Sequence, residues 1–309
     1  MSVLSLSVLF GLSSTSFADL VMNPSGSSSQ ASISWSSSDA SQLLNNDSLD
    51  DDEPSPQGST TITTTLRTSN TANTTNRNTV SSTTPKSIYI SDTNSYSNQP
   101  SVNSRAALVM DANTGEVLYS KNTNTALPIA SITKLMTAVV TSDARLNMSE
   151  DITLQQIDFA GAGGKNSSST LKAGDTMNRA EMLLVALMKS ENPAAAALAR
   201  TYPGGRTAFV AAMNAKARQL GMNSTHYVES TGLDVRNIAS ARDLGILVSA
   251  ASQYGLIRQF STTAHYDFNL GYRVLKSNNT NALVRNGGWN INLSKTGYIN
   301  EAGRCVVMH

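Results

Sequence analysis

A chain of 309 residues can hold one or two domains. Its 23 basic and 22 acidic side chains nearly cancel, which argues against nucleic acid as a partner and against a strongly acidic substrate. The single cysteine, Cys305, excludes a disulfide framework and a multi-cysteine metal centre. It lies in the apolar run Cys305-Val-Val-Met308 and reads as a small buried hydrophobe. His226, His265 and His309 lack ligand spacing, so neither a metal nor another cofactor is expected.

The N-terminus has the pattern of an export signal. Val3 to Leu12 is mostly apolar but too short to span a bilayer, and Ser16-Phe17-Ala18 puts small residues where a signal peptidase reads. No Lys or Arg precedes the apolar run, a departure from the usual signal. Residues 1–18 are expected to be a signal peptide and the chain to be exported to the periplasm, with no membrane span evident. Residues 19–104 are rich in Ser, Thr and Asn, carry an acidic knot at Asp50-Asp51-Asp52-Glu53 and have few large apolar side chains. Such a segment buries too little surface to offset its ordering entropy, which predicts a disordered linker.

A globular pattern fills residues 105–309. Ala106-Ala-Leu-Val-Met110 and Glu116-Val-Leu-Tyr119 read as two strands joined by a turn at Asn113-Thr114-Gly115. Pro128 then introduces a helix through Val140, with Ile132, Leu135, Met136 and Val139 on its core face. Ser131 and Lys134 lie about one turn apart on the adjoining stripe. A serine hydroxyl is a poor nucleophile until a base takes its proton, and a lysine serves as that base only when neutral. Burial lowers a lysine pKa, as does a second cation, a part Lys295 could play. Taken alone, Ser131 and Lys134 read equally well as solvated helix residues.

Further along, Gly161-Ala-Gly-Gly-Lys165 superficially suggests a phosphate loop. Phe159 stands where the first glycine belongs and Asn166 where Ser or Thr is required, so a flexible loop is expected. Asn178 and Glu181 form a capping-box pattern before Met182-Leu-Leu-Val-Ala-Leu-Met188, a helix apolar all round and therefore internal. It ends at Ser190-Glu-Asn192, and Pro193 opens the next helix, which makes Asn192 an ordinary N-cap candidate as well as a functional one. Ser277-x-Asn279 repeats the Ser-x-Asn spacing in what reads as a polar, mobile loop. Trp289, Ile291 and Leu293 alternate with polar residues, predicting a half-buried strand that runs into Lys295-Thr296-Gly297. Lys295 and Thr296 would then face opposite sides, and Gly297 would admit a close neighbour.

Order and spacing join three short strings, Ser131-Ile-Thr-Lys134, Ser190-Glu-Asn192 and Lys295-Thr296-Gly297. About 59 residues separate Ser131 from Ser190, and about 105 separate Ser190 from Lys295. With Pro128-Ile-Ala, Tyr202-Pro-Gly-Gly205, Ser230-Thr-Gly-Leu233 and Ala241-Arg-Asp-Leu244, they resemble the penicillin-recognising serine enzymes. From Arg105 to His309 the chain is most similar to the low-molecular-mass D-alanyl-D-alanine peptidases of the penicillin-binding protein 7/8 type.

That resemblance implies an α/β fold, β-lactamase/transpeptidase-like: an antiparallel sheet flanked by helices, plus an all-helical portion from about Leu146 to Ser261. It implies a serine D,D-peptidase acting on peptidoglycan stems and cross-links and inhibited covalently by β-lactams. Ser131 would be the nucleophile, Lys134 its base and Ser190 the proton donor to the leaving amine. Asn192, Lys295, Thr296, Gly297 and Tyr298 would bind substrate, with the Ser131 and Tyr298 N–H groups as oxyanion hole. Ser240 and Asp243 read as a capping box without chemistry. Endopeptidase action is favoured, with carboxypeptidase action the near alternative. A class A β-lactamase would need a Glu-x-x-Leu-Asn motif between the second and third strings. Only Asp143-Ala-Arg-Leu-Asn147, ahead of Ser190, comes close to it. A non-catalytic wall-binding module is the remaining alternative. Relatives continue past the strand at Cys305 with a further strand and a helix, so the chain is expected to be incomplete and to fold poorly as it stands.

Overall fold

The computed structural model describes residues 100–161 and 168–309. The expected signal peptide, nearly all of the linker and all but Gly161 of the Gly161–Lys165 cluster lie outside the described residues.

Strands β1 (Ala107–Met110) and β2 (Val117–Lys121) form the predicted hairpin, in register from Ala107↔Lys121. Its turn is built by Asp111, whose carboxylate accepts from the N–H groups of Asn113 and Thr114, and by Gly115 at φ 75°. The next segment departs from expectation. Leu127–Pro128 is a short strand, β3, followed by a 3-10 turn at Ala130–Ile132, and helix α1 begins only at Thr133 and runs to Asp143 (Thr133–Asp143). The Ile129 N–H donates to the Asn237 carbonyl, which keeps this stretch extended against a distant loop. Pro128 has no N–H to lose there.

Helix α1 was expected to bury one stripe, yet every residue from Thr133 to Ser142 is buried. It is the central helix, with helices packed around it on all sides. Beyond it come β4 (Asp151–Thr153), β5 (Thr176–Asn178), α2 (Arg179–Met188), α3 (Asn192–Arg200) and α4 (Gly205–Gln219). The pairing of β4 with β5 corrects the expectation of an all-helical portion. Helix α2 carries the predicted reciprocal capping box of Asn178 and Glu181 and is buried throughout. Glu191, not Asn192, occupies the N-cap position of α3, and Asn192 is the first helical residue.

A carboxylate ties this helical layer to its loop. Asp158, 3% exposed, accepts from Arg200 Nε at 2.9 Å and Arg206 Nη2 at 2.8 Å. It also accepts from the Gln155 N–H. Removing one partner of a buried ion cluster leaves charge without compensation. Because both guanidiniums reach water, Asp158→Asn is expected to lower stability by about 2–3 kcal/mol, less than a fully buried pair would lose. The urea midpoint checks this, and an unchanged midpoint would refute it.

The chain closes with β6 (Ile238–Ala239), α5 (Ala241–Ala251), α6 (Gly255–Ser261), β7 (His265–Asn269), β8 (Val274–Asn278), α7 (Ala282–Asn286), β9 (Ser294–Ile299) and β10 (Gly303–Met308). The strand expected from Trp289 starts five residues late: the β10 ladder pairs Ile299 back to Ser294, His309 adds backbone bonds to Leu293 and Asn292, and none of these bonds reaches Trp289 to Ile291. Trp289 is left 69% exposed. Ser277 and Asn279 are buried rather than in a mobile loop, and Asn279 Nδ2 donates to the carbonyls of Ser261 and Thr263. Among the described residues, β1–β2 and β9–β10 are separate pairs, linked by Arg105, whose guanidinium reaches the carbonyls of Glu301 and Ala302. No described helix is long and apolar enough to cross a membrane. Cys305 is half-buried against the core, and burial pushes its thiol pKa up.

Candidate active site

Three elements meet at the 3-10 turn that holds Ser131. The first is α1, whose opening turn carries Lys134. Its Nζ donates to Ser131 Oγ at 3.1 Å, to Asn192 Oδ1 at 2.6 Å and to the Thr231 carbonyl at 2.7 Å. The second is the link between α2 and α3, where Ser190 sits at φ 65°. Left-handed backbone is costly for a non-glycine residue and persists only when the surroundings enforce it. Here two buried helices fix both ends of the link. The third is β9, from which Lys295 Nζ donates to Ser190 Oγ at 2.9 Å and to the Thr296 carbonyl at 2.8 Å.

Both lysines are 1% exposed. Burial lowers the Lys134 pKa to about 8, against the opposing pull of Glu229 and Glu191. Lys295 is held well below the ordinary lysine range, first by burial and then by the positive charge of Lys134. A neutral lysine has two N–H donors and one lone pair. Of the three groups around Lys134, the Asn192 and Thr231 oxygens can only accept, whereas a hydroxyl can also donate. The two carbonyl oxygens therefore take the N–H groups and leave the lone pair to Ser131. The same three contacts suit the charged amine, so a proton can arrive without rearrangement.

Glycines allow the elements to approach this closely. A Cβ on Gly297 would lie 3.0 Å from Ser131 N and 3.2 Å from the Ile129 carbonyl oxygen. This sets the β9 backbone against the Ser131 turn. Lys295 is buried, Thr296 half-buried and Tyr298 exposed, so β9 runs from the interior at Ser294 toward the surface at Tyr298. Thr296 Oγ1 donates to Thr280 Oγ1 at 2.7 Å, and Tyr298 Oη donates to Asn300 Oδ1. The structure thus brings these residues together as two hydrogen-bonded groups, Ser131–Lys134–Asn192 and Ser190–Lys295, coupled through the charge of the two lysines. Gly297 lies against the nucleophile's backbone, with Thr296 and Tyr298 on the outer face of β9. A cavity of about 420 Å³ opens beside Asn192 and Thr231, bounded by Pro193, Ala196, Arg206 and Glu229.

A family model described as D-alanyl-D-alanine carboxypeptidase matches residues 93–309. The chain belongs to this family of serine peptidases. A D-alanyl-D-alanine endopeptidase of Pseudomonas aeruginosa is 49% identical over 217 residues, covering 68% of each chain. Its namesake from Escherichia coli K12 is 48% identical over 213 residues, again covering 68% of each. Among solved structures, the Streptomyces K15 DD-transpeptidase superposes with a TM-score of 0.62 at 28% identity, over 68% of this chain and 86% of that one. The fold is that of the penicillin-binding D,D-peptidases.

Sequence reasoning assigned no role to Glu229, Gly232 or Asn237, which build the wall behind Lys134. The string Ser230-Thr-Gly-Leu233 contributed to the resemblance, and its glycine was the available signal. Gly232 has φ 87°, and a Cβ there would lie 1.9 Å from the Ala130 carbonyl oxygen. The Ser240 reading holds in part. Its hydroxyl accepts from the Asp243 N–H, but the Asp243 carboxylate turns instead to Ser224 N and Thr225 Oγ1.

Proposed function

We propose that this chain hydrolyses D-alanyl bonds in peptidoglycan through an acyl-enzyme on Ser131, with the peptide cross-link as preferred substrate. The observation that carries the reading is the buried Lys134 amine, whose carbonyl partners direct its lone pair at Ser131 Oγ. Ser131 attacks the D-alanyl carbonyl and its proton passes to Lys134. The oxygen that becomes anionic is received by the N–H groups of Ser131 and Tyr298, each such donor being worth about 3–4 kcal/mol in comparable sites. Ser190, bonded to Lys295, hands a proton to the departing amine, and the ester on Ser131 is then hydrolysed by water. Asn192 and Thr296 hold the two sides of the peptide, and Lys295 keeps Ser190 oriented. A β-lactam enters the same first step and forms the same ester.

Endopeptidase action is supported by the relatives nearly half identical to this chain, which are named for it. Carboxypeptidase action on uncrosslinked stems is the second reading, favoured by the description of the matching family model. The substrate lies in the cell wall, so export is required, and the apolar run at Val3 to Leu12 would direct the chain to the periplasm.

Two measurements test this. Intact-mass analysis after incubation with a β-lactam is expected to show one adduct, located on Ser131 and absent from Ser131→Ala. An adduct elsewhere, or none on the native chain, would overturn the mechanism. Digestion of purified cross-linked muropeptides is expected to turn dimers into monomers. Loss of terminal D-alanine from monomers, with dimers left intact, would establish the carboxypeptidase instead.

A further inference from the structure

Of the three acceptors around Lys134 Nζ, the Thr231 carbonyl belongs to a turn outside any helix or strand. Glu229 holds that turn. Its carboxylate accepts from Thr231 N at 2.5 Å and from Gly232 N at 2.6 Å, and Asn237 Nδ2 donates to it at 2.9 Å. Asn237 is fully buried. Its Oδ1 accepts from Val228 N at 2.8 Å, which fixes the orientation of the amide. Its Nδ2 also lies 3.2 Å from Thr133 Oγ1, one residue before Lys134. Its carbonyl accepts from Ile129 N, two residues before Ser131. One buried asparagine therefore spans the carboxylate and the base's helix through its side chain, and the nucleophile's turn through its main-chain carbonyl.

We infer that Glu229, braced by Asn237, is a positioning residue for the base: it fixes the Thr231 carbonyl against Lys134, so that the amine keeps its lone pair for Ser131. The inference rests on the acyl-enzyme reading above. Glu229 acts through the turn and touches neither Ser131 nor Lys134 by hydrogen bond. Three N–H donors already occupy its two oxygens, so it is not a free base for a hydrolytic water. It also lies near enough for its charge to favour the protonated amine. Two other charged groups face Lys134. Glu191, from the turn ahead of α3, favours the proton too but is bonded to Ser169 and Thr170, and Lys295, from β9, is bonded to Ser190.

Glu229→Gln separates these effects. Glutamine offers one accepting oxygen and an NH2 group, so one N–H of the turn would face another donor and the Thr231 carbonyl would lose its anchor. Loss of the negative charge lowers the Lys134 pKa, so neutral amine appears at lower pH. The pH profile of acylation by a fluorescent penicillin, measured on the full chain, is expected to change in two ways. The rising limb moves toward acid by about one pH unit, and the plateau falls roughly tenfold. A plateau loss with an unmoved limb would reduce Glu229 to a structural residue and overturn the inference. Unchanged acylation with slower release of the acyl group would also overturn it, by making Glu229 a deacylation base. A native chain that forms no adduct sinks both readings, whereas a Glu229→Gln profile matching a reactive native chain sinks this one alone. Should that variant fail to fold, Glu229→Asp keeps the charge but shortens the reach. It is expected to lower the plateau with the limb in place, and an acid-shifted limb would overturn the inference.

Discussion

Lys134→Met is expected to slow acylation of Ser131 by a β-lactam at pH 8 by about 10²–10⁴-fold, the usual worth of a positioned general base. Methionine fills a similar volume but offers Ser131 only a weakly accepting, non-basic sulfur, while the serine, its turn and the β9 wall stay in place. The pH dependence makes the test specific. With the native amine titrating at about pH 8, the acylation rate should rise nearly tenfold per unit from pH 6 to 7 and flatten above pH 8. The variant should lose that limb. The stability sign follows from the same shift. Because the folded pKa is depressed, the unfolded chain binds more protons between about pH 8 and the ordinary lysine range, so native stability should rise with pH across that window. Lys295, depressed as well, adds to the same rise, so Lys134→Met should reduce this dependence without abolishing it in denaturant titrations at pH 8 and pH 10. Near-native acylation by Lys134→Met, or loss of the limb in Lys295→Met instead, would move the base to Lys295.

Why some of this could be read from the chain and some could not is a matter of range. The hairpin, the all-apolar helix α2 and its capping box are specified by neighbours within a few residues, and sequence periodicity reports such local choices directly. The strings at Ser131, Ser190 and Lys295 could be recognised because each is short and their order is fixed, but convergence belongs to the tertiary fold. The late start of α1 was hidden for that reason. Nothing near Pro128 says that Ile129 will bond a carbonyl more than a hundred residues away. The alternation at Trp289–Leu293 misled because a strand needs a partner, and the backbone bonds that follow β10 end at Asn292 and do not reach Trp289 to Ile291. Glu229 and Asn237 were invisible for the opposite reason. A carboxylate and an amide in a polar loop look like solvated side chains until the burial of Asn237 and the three N–H groups converging on Glu229 show otherwise.

Gly232→Ala tests the packing of the site as directly as Lys134→Met tests its chemistry. The added methyl would lie 1.9 Å from the Ala130 carbonyl oxygen, 2.4 Å from its carbon and 2.9 Å from Ser131 N. All three are main-chain atoms, so no side-chain rotation relieves the clash, and the two segments must part by more than about 1 Å. The residue would also hold φ 87°, a conformation that L side chains rarely adopt. Parting the segments carries the Thr231 carbonyl away from Lys134 and loosens the Ser131 turn together. A misplacement of about 1 Å at a reacting centre costs roughly 10²-fold, so acylation should fall by at least that much. The backbone strain should lower the melting temperature as well. Gly221→Ala separates the two effects, since Gly221 has φ 77° but nothing within 4 Å of the added methyl. It should lose stability and acylate at the native rate. If Gly232→Ala acylates within about threefold of native, the contact between the two turns does not set the nucleophile's position, and the wall built by Glu229, Gly232 and Asn237 is scaffolding only.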